Sequence, residues 1–374
     1  MTAITIILLI LGFWAVITLM GATIWKESES VEVGPFQVIW RTKKFLNFID
    51  RVGRNHERFW KVYGDIGIVV GFIGMAFIVF YLGKQALKIL QPKGAVTPSV
   101  QLVIPGVTIP LWYGLVGLAI LVIVHELSHG FVARAERIPL KSVGLLLFVV
   151  IPGAFVEPDE EKLNKAPLIS RLRVFGAGSL ANIVVALLAV MVVNAIGLAF
   201  EENGVEVKGV IENSPAYGVL EPGDVIIGIN GEHIKTFEEF VKIMNQTKPG
   251  EVITLTILRH GNSEEVKIKL AEHPERPGKG FIGIYPAPHL VSKIGFDKPL
   301  MVLFFTFYWI YVLNLGVGLM NLLPLYPLDG GRMLMDSLKE LWPRFGKHVG
   351  YSIMAISLLL LVINIIPAIR GLVG

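Results

Sequence analysis

The stretch LVIVHELSHGFVARAER, Leu121–Arg137, closes an apolar run that begins LWYGLVGLAI at Leu111. Ionisable groups at membrane depth are costly unless partnered, so His125, Glu126 and His129 define a candidate functional site. On a helix the two histidines stand one turn apart on one face, the arrangement with which an HExxH pair holds one zinc ion, and Glu126 lies beside them. Zinc takes about four ligands and keeps one position open in a catalytic site, so a third protein ligand must come from elsewhere in the chain. The competing reading, two satisfied core histidines and a glutamate, is energetically poor inside a spanning helix.

The rest of the composition fits that setting. Of 374 residues 53% are hydrophobic and only 17% are charged, against about 25% charged in ordinary soluble domains. Apolar runs near the roughly 20 residues needed to cross a bilayer fall at 4–25, 65–83, 111–133, 175–200, 299–323 and 349–369, which predicts six spans. The first lacks a basic leading region and is longer than a signal peptide's apolar core, so it reads as a retained helix. There is no cysteine, which excludes disulfides and thiolate ligands. Lys and Arg number eight in 26–64, three in 84–110, seven in 134–174 and four in 324–348. By the positive-inside rule the three richer loops are cytoplasmic, and 84–110, 201–298 and both termini face outward.

Three further segments carry information. Residues 34–64 mix aromatics and bases without an unbroken apolar run, which predicts a helix lying in the interface. Their His56-Glu57 imitates the start of HExxH, but Trp60 occupies the second histidine's place. Residues 143–156, VGLLLFVVIPGAFV, are apolar and too short to span, and Pro152-Gly153 disfavours a helix. They read as a re-entrant strand or loop, tolerated where protein or a wet cavity covers the backbone, or else as a buried surface loop. Residues 201–273 alternate like strands, with hairpin turns expected at Asn230-Gly231 and Gly261-Asn262. One helix interrupts them, starting at a Thr236/Glu239 capping box.

The third ligand has one outstanding candidate. GVGLMNLLPLYPLDGGRMLMD holds Asp329, the only carboxylate between Asp297 and Asp336. Pro324 and Pro327 bend or end the helix before it, and Gly330-Gly331 allow close backbone packing after it. Both the third and fifth predicted spans run from outside to inside, so His125 and Asp329 fall at one depth. A turn aspartate in a cytoplasmic loop is the other reading of LDGG taken alone.

HELSH on one membrane helix, NLLPLYPLDGG on a later one and a strand-rich insert between them resemble the site-2 proteases, the zinc-dependent intramembrane protease family. The resemblance covers about 111–332 and implies His125, His129 and Asp329 as zinc ligands and Glu126 as catalytic base. It further implies a substrate-positioning or oxyanion role for Asn321, and for Asn182 in Gly178-Ser179-Leu180-Ala181-Asn182, where serine replaces the family's usual proline. Plain helix packing through Gly178 and Ala181 is the other reading of that segment. The insert ENSPAYGVLEPGDVIIGINGEHIKTFEEFVKIM resembles a PDZ domain, although the loop that usually precedes the first strand has its look-alike, GFIGI (280–284), after the strands.

Together these readings predict an α-helical polytopic membrane protein with a small α+β PDZ-like domain inserted between helices four and five. The expected divisions are an N-terminal membrane region (1–98), a core with HExxH, re-entrant segment and fourth span (99–200), the PDZ-like domain (201–275) and a core with LDG and the final span (276–374). The resemblance implies an endopeptidase using one zinc ion per chain and cutting transmembrane segments of membrane proteins after an earlier extracytoplasmic cut. Expected partners are those substrates, a peptide ligand of the PDZ-like domain and the bilayer, with no nucleic acid. A cell-membrane location is expected, with the PDZ-like domain outside and the active site nearer the cytoplasm. Two rival readings are a catalytically silent scaffold, for which Glu126 would have no use, and a zinc transporter, for which further intramembrane ligands are wanting.

Overall fold

A computed structural model describes residues 3–26, 28, 30–91, 100–149 and 151–373. The chain forms two compact units, Met1–Val192 with Phe305–Gly374, and Val193–Phe304. In chain order it begins with α1 (Ala3–Thr23), β1 (Val31–Gly34), β2 (Gln37–Thr42), α2 (Leu46–Asn55) and α3 (Glu57–Ile89). Next come α4 (Leu111–Ala135), β3 (Leu140–Phe148), β4 (Ile151–Pro158), α5 (Glu160–Lys165) and α6 (Leu168–Gly197). The second unit adds β5 (Phe200–Val210), β6 (Val225–Ile229), β7 (Glu232–His233), α7 (Phe237–Met244), β8 (Val252–Arg259), β9 (Asn262–Lys269), β10 (Ala271–His273), β11 (Arg276–Phe281) and β12 (Ile284–Ser292). The chain ends with α8 (Asp297–Asn321), α9 (Asp329–Leu341) and α10 (Gly346–Val373).

Five helices among the described residues are long and apolar enough to cross a membrane: α3, α4, α6, α8 and α10 through Arg370. The remaining expected span, the first, corresponds to α1, whose described apolar stretch is Leu11–Thr23. Large side chains such as Leu187, Met191 and Leu359 stand more than half exposed on the outer helix faces, the pattern of a protein whose solvent is lipid.

Small residues set the packing of this unit. A Cβ on Gly67 of α3 would meet the Gly176 backbone of α6 at 3.0 Å, and one on Gly71 would meet the Met333 side chain of α9 at 2.6 Å. Close backbone approach through glycine replaces the hydrophobic driving force that lipid cannot supply.

Of the two readings of 143–156, strand or loop, the described residues take the strand, on both sides of a hairpin. The segment belongs to the β3–β4 hairpin of a four-stranded antiparallel sheet ordered β1-β2-β3-β4. The expectation of an interfacial helix over 34–64 is corrected here. Residues 37–42 form β2, registered Trp40 to Leu145 on β3, and helix begins only at Leu46. The physical reason is pairing: without β2, one edge of β3 would leave its backbone polar groups unsatisfied in an apolar setting. That leaves β4 as the edge strand nearest α4.

The second unit is a sheet ordered β12-β5-β6-β8-β9, with β7 on β6 and a β10–β11 hairpin. Val205, Ile226, Phe240, Leu255 and Ile257 share its core. The Thr236/Glu239 capping box starts α7 as expected. Asn230-Gly231 turns between β6 and β7, with φ of 51° and 80°. The next turn is His260-Gly261 rather than Gly261-Asn262, since Arg259 pairs with Asn262. The sheet also runs beyond the expected limit of 275, because β12 covers β5 along its length from Ile284↔Val210 to Ser292↔Phe200. GFIGI therefore sits at the junction of β11 and β12, immediately before an edge strand.

Candidate metal centre

The site is assembled from α4, α6, the end of α8 and the start of α9. His125 and His129 project from successive turns of α4 with their Nε2 atoms 3.1 Å apart. Asp329 is the first residue of α9, and its Oδ2 lies 3.3 Å from the Nε2 of each histidine. The sequence places Asp329 there through two backbone contacts that admit no side chain. A Cβ on Gly330 would meet the Leu322 carbonyl oxygen at 2.1 Å, and one on Gly331 the Leu325 carbonyl carbon at 2.3 Å. The helix N-terminus of α9 adds a positive partial charge beside the carboxylate.

This donor set fits a zinc ion. Asp329 Oδ2 is buried without a hydrogen-bond partner, a costly position for a carboxylate oxygen unless a cation takes it. A tetrahedral ion with ligands at about 2.0–2.1 Å keeps neighbouring ligand atoms about 3.3 Å apart. The three separations here, 3.1, 3.3 and 3.3 Å, match that spacing. Among the described residues, His125, His129 and Asp329 are the group of His, Asp and Glu side chains close enough to share an ion. His56 is exposed, and its neighbour Glu57 instead pairs with Lys61 at 2.5 Å.

The imidazoles are held from behind. His129 Nδ1 lies 2.7 Å from the Val174 carbonyl oxygen, which can only accept, so this nitrogen donates and Nε2 is the one turned toward the centre. His125 Nδ1 lies 3.1 Å from the Asn182 amide. Gly178 faces both rings, and a Cβ there would stand 2.4 Å from His129 Nε2 and 2.6 Å from His125 Cε1. Gly178, for which the sequence left helix packing and a contact at the site both open, thus forms the floor beneath the two rings.

Glu126 opens onto a cavity of about 430 Å³ shared with both histidines, Asp329, Asn321 and Phe155. Its Oε2 accepts a hydrogen bond from the Val156 backbone N–H at 2.9 Å. Asn321 lines the same cavity, with its amide nitrogen 3.4 Å from His125 Nε2. Asn182 does not share that position. It is 0% exposed and meets the opposite edge of the His125 ring instead of the cavity. The Val174 carbonyl has no signature in the sequence, because any residue supplies one. Arg332, also missed, lines the cavity, 3.2 Å from Glu160 and over the Phe175 ring.

The sequence model of peptidase family M50 matches residues 113–364. The chain is 32% identical over 320 residues to an uncharacterized protein of Methanocaldococcus jannaschii, across 83% of this chain and 81% of that one. It is 27% identical to the membrane-bound transcription factor site-2 protease homolog of Arabidopsis thaliana, over 54% of this chain and 41% of the relative. It is also 27% identical to the zinc metalloprotease RasP of Geobacillus kaustophilus, over 51% of this chain and 58% of that protein. Among solved structures, the PDZ domain of the SdrC-like protein from Listeria innocua is 33% identical and aligns over 23% of this chain and 96% of that domain, with a TM-score of 0.22.

Proposed function

The chain belongs to peptidase family M50, and we propose that it is an intramembrane zinc endopeptidase that cuts transmembrane segments of membrane proteins after their outer parts have been shortened. The observation that carries this reading is the convergence of two imidazole nitrogens and a carboxylate oxygen, 3.1–3.3 Å apart, beside Glu126 on a membrane-spanning helix. His125, His129 and Asp329 would hold the ion. A bound zinc ion supplies Lewis acidity, polarising a scissile carbonyl and acidifying water.

The remaining chemistry belongs to the chain's own residues. Glu126 takes the proton from water and passes it to the leaving amine. Asn321, with its amide pointing into the cavity, donates to the oxygen on which charge develops. A substrate helix hides its carbonyls in i to i−4 bonds and must unwind before it can be cut. The free edge of β4, which carries Phe155 and Val156 of the cavity wall, can hold the unwound segment extended by strand addition.

The PDZ-like domain lies on the extracytoplasmic side in this reading, opposite the Lys/Arg-rich loops. Its β12 is an edge strand and would accept a peptide by the same kind of addition. Inserted between α6 and α8, both of which contribute to the site, it would act as a gate against substrates that keep a bulky outer domain.

The test is cleavage of a membrane-spanning peptide by purified wild type and Glu126→Gln, with zinc measured in both. The variant should retain zinc and lose proteolysis, because the glutamate is a base and not a ligand. Zinc without cleavage in the wild type would favour a scaffold, and loss of zinc in Glu126→Gln would mean that the roles are misassigned.

A further inference from the structure

Asn182 is a buried amide that does not line the cavity. It is 0% exposed on α6, and the polar group it reaches is the Nδ1 of His125. Its position is enforced from the other side by Gly318 of α8, where a Cβ would fall 2.9 Å from the Asn182 Cβ. The side chain is therefore wedged between α8 and the back of a ring whose front faces Asp329 and His129.

Which end of the amide meets the ring follows from what the ring must do. A histidine that gives its Nε2 lone pair to a cation is neutral and carries its one proton on Nδ1, so Nδ1–H must donate. An NH2 group cannot accept that bond. The amide NH2 facing a bare Nδ1 would leave the proton on Nε2, aimed at His129 Nε2 3.1 Å away and Asp329 Oδ2 3.3 Å away, and the centre would be closed to an ion. The amide's oxygen and nitrogen exchange places by a half-turn about the last side-chain torsion. With NH2 at the ring, Oδ1 is a buried acceptor with no partner. The half-turn gives that oxygen the Nδ1–H as its donor.

Resting on the zinc reading above, we propose that Asn182 is a positioning residue that accepts the His125 Nδ1–H through Oδ1, fixes the metal-competent tautomer and so sets the affinity of the centre for its ion. His129 has the same device built from the Val174 carbonyl. The two imidazoles are thus oriented by one backbone and one side-chain oxygen, and only the second can be altered by mutation.

The experiment compares the full chain in detergent, wild type, Asn182→Leu and Asn182→Asp, for Zn2+ affinity against a competing chelator and for the visible spectrum with Co2+ in place of zinc. Leucine keeps the volume and removes the acceptor, and should weaken zinc binding about 10–100-fold. Aspartate keeps an acceptor at the same point and should hold zinc as tightly as wild type or more tightly, with a shifted Co2+ spectrum because a carboxylate makes the ring a stronger donor. A purely structural amide would not be rescued by a buried charge, so loss of zinc in Asn182→Asp overturns the proposal even if the leucine variant fails to fold. Wild-type zinc affinity in a folded Asn182→Leu overturns it as well. Failure of the wild type itself to bind zinc would instead overturn the metal reading, before either variant is compared.

Discussion

The Val156 backbone N–H donates to the Glu126 carboxylate at 2.9 Å, tying this side chain of α4 to the edge strand β4. Among the described residues β4 pairs with β3 alone, and this N–H, bonded to a side chain instead of to β3, points off the open edge of the sheet. The same edge is the one on which an extended substrate would lie. On the proposed reading, the proton-transfer group and the substrate-positioning strand would thus be fixed against each other.

Replacing Val156 with proline should separate the two functions. Proline is tolerated on an edge strand where its missing N–H faced away from the neighbouring strand, so the sheet and the zinc content should survive. Turnover should fall on the order of 100-fold, as expected when a catalytic group is misplaced by about 1 Å. Single-turnover cleavage with metal analysis on the same sample checks this, and unchanged turnover would show that the hydrogen bond does not orient the base.

Gly178→Ala tests the packing of the centre. The added methyl would stand 2.4 Å from His129 Nε2, inside the space of the ring, and the helix itself favours alanine over glycine. Zinc binding should weaken by at least about tenfold while the helical signal is kept. Equal affinity in glycine and alanine forms would return Gly178 to an ordinary helix contact.

Asp329→Ala removes the only anionic donor of the three. Metal content of the purified variant should drop below stoichiometry, and Asp329→Glu should recover it only partly because the longer side chain overshoots the Oδ2 position. Full occupancy in Asp329→Ala would exclude Asp329 as a ligand.

In the PDZ-like domain, Asp224 is 2% exposed and bonded to Arg259 at 2.6 and 2.8 Å. Burial pushes its carboxyl up, but the Arg259 guanidinium and the Glu221 N–H outweigh burial and hold it below the usual carboxylate range. A lowered folded-state value means that this contribution to stability is complete above the unfolded carboxylate value of about 4 and is lost as pH falls through the folded value. Asp224→Asn should cost about 1.5–3 kcal/mol at neutral pH and flatten the acid limb. Hydrogen exchange of β6 and β8 in the full chain as a function of pH reads both effects.

The gate is tested by excision. Phe200 pairs with Ser292, and the Lys293 N–H donates to the Ala199 carbonyl at 2.9 Å, so the two ends of the domain are neighbours. Removing 200–292 across a short Gly/Ser bridge should leave zinc bound and let the enzyme cut full-length substrates that the intact chain refuses. A zinc-loaded excised enzyme that still refuses them would remove the gating role.

What the sequence determined by itself was whatever depends on local spacing and on hydropathy over a span. HExxH put two imidazoles on one helix face because the helix repeats every 3.6 residues. Long apolar runs forced membrane helices because lipid satisfies no backbone hydrogen bonds, and the Thr236/Glu239 box and Asn230-Gly231 turn followed from side-chain and φ preferences three residues or fewer apart. The tertiary structure decided what depends on partners distant in the chain. QVIWRT became β2 because β3 offered it an unpaired edge, although its aromatics and bases suited an interfacial helix equally well. The PDZ-like sheet gained β12 because β5 needed a neighbour. Asn182 turned from the cavity to the back of His125, and Gly178 became the floor of the centre, because packing of α6 against α4 and α8 fixes which face of a nearly all-apolar helix looks inward. Hydropathy that is uniform around such a helix carries no record of that choice.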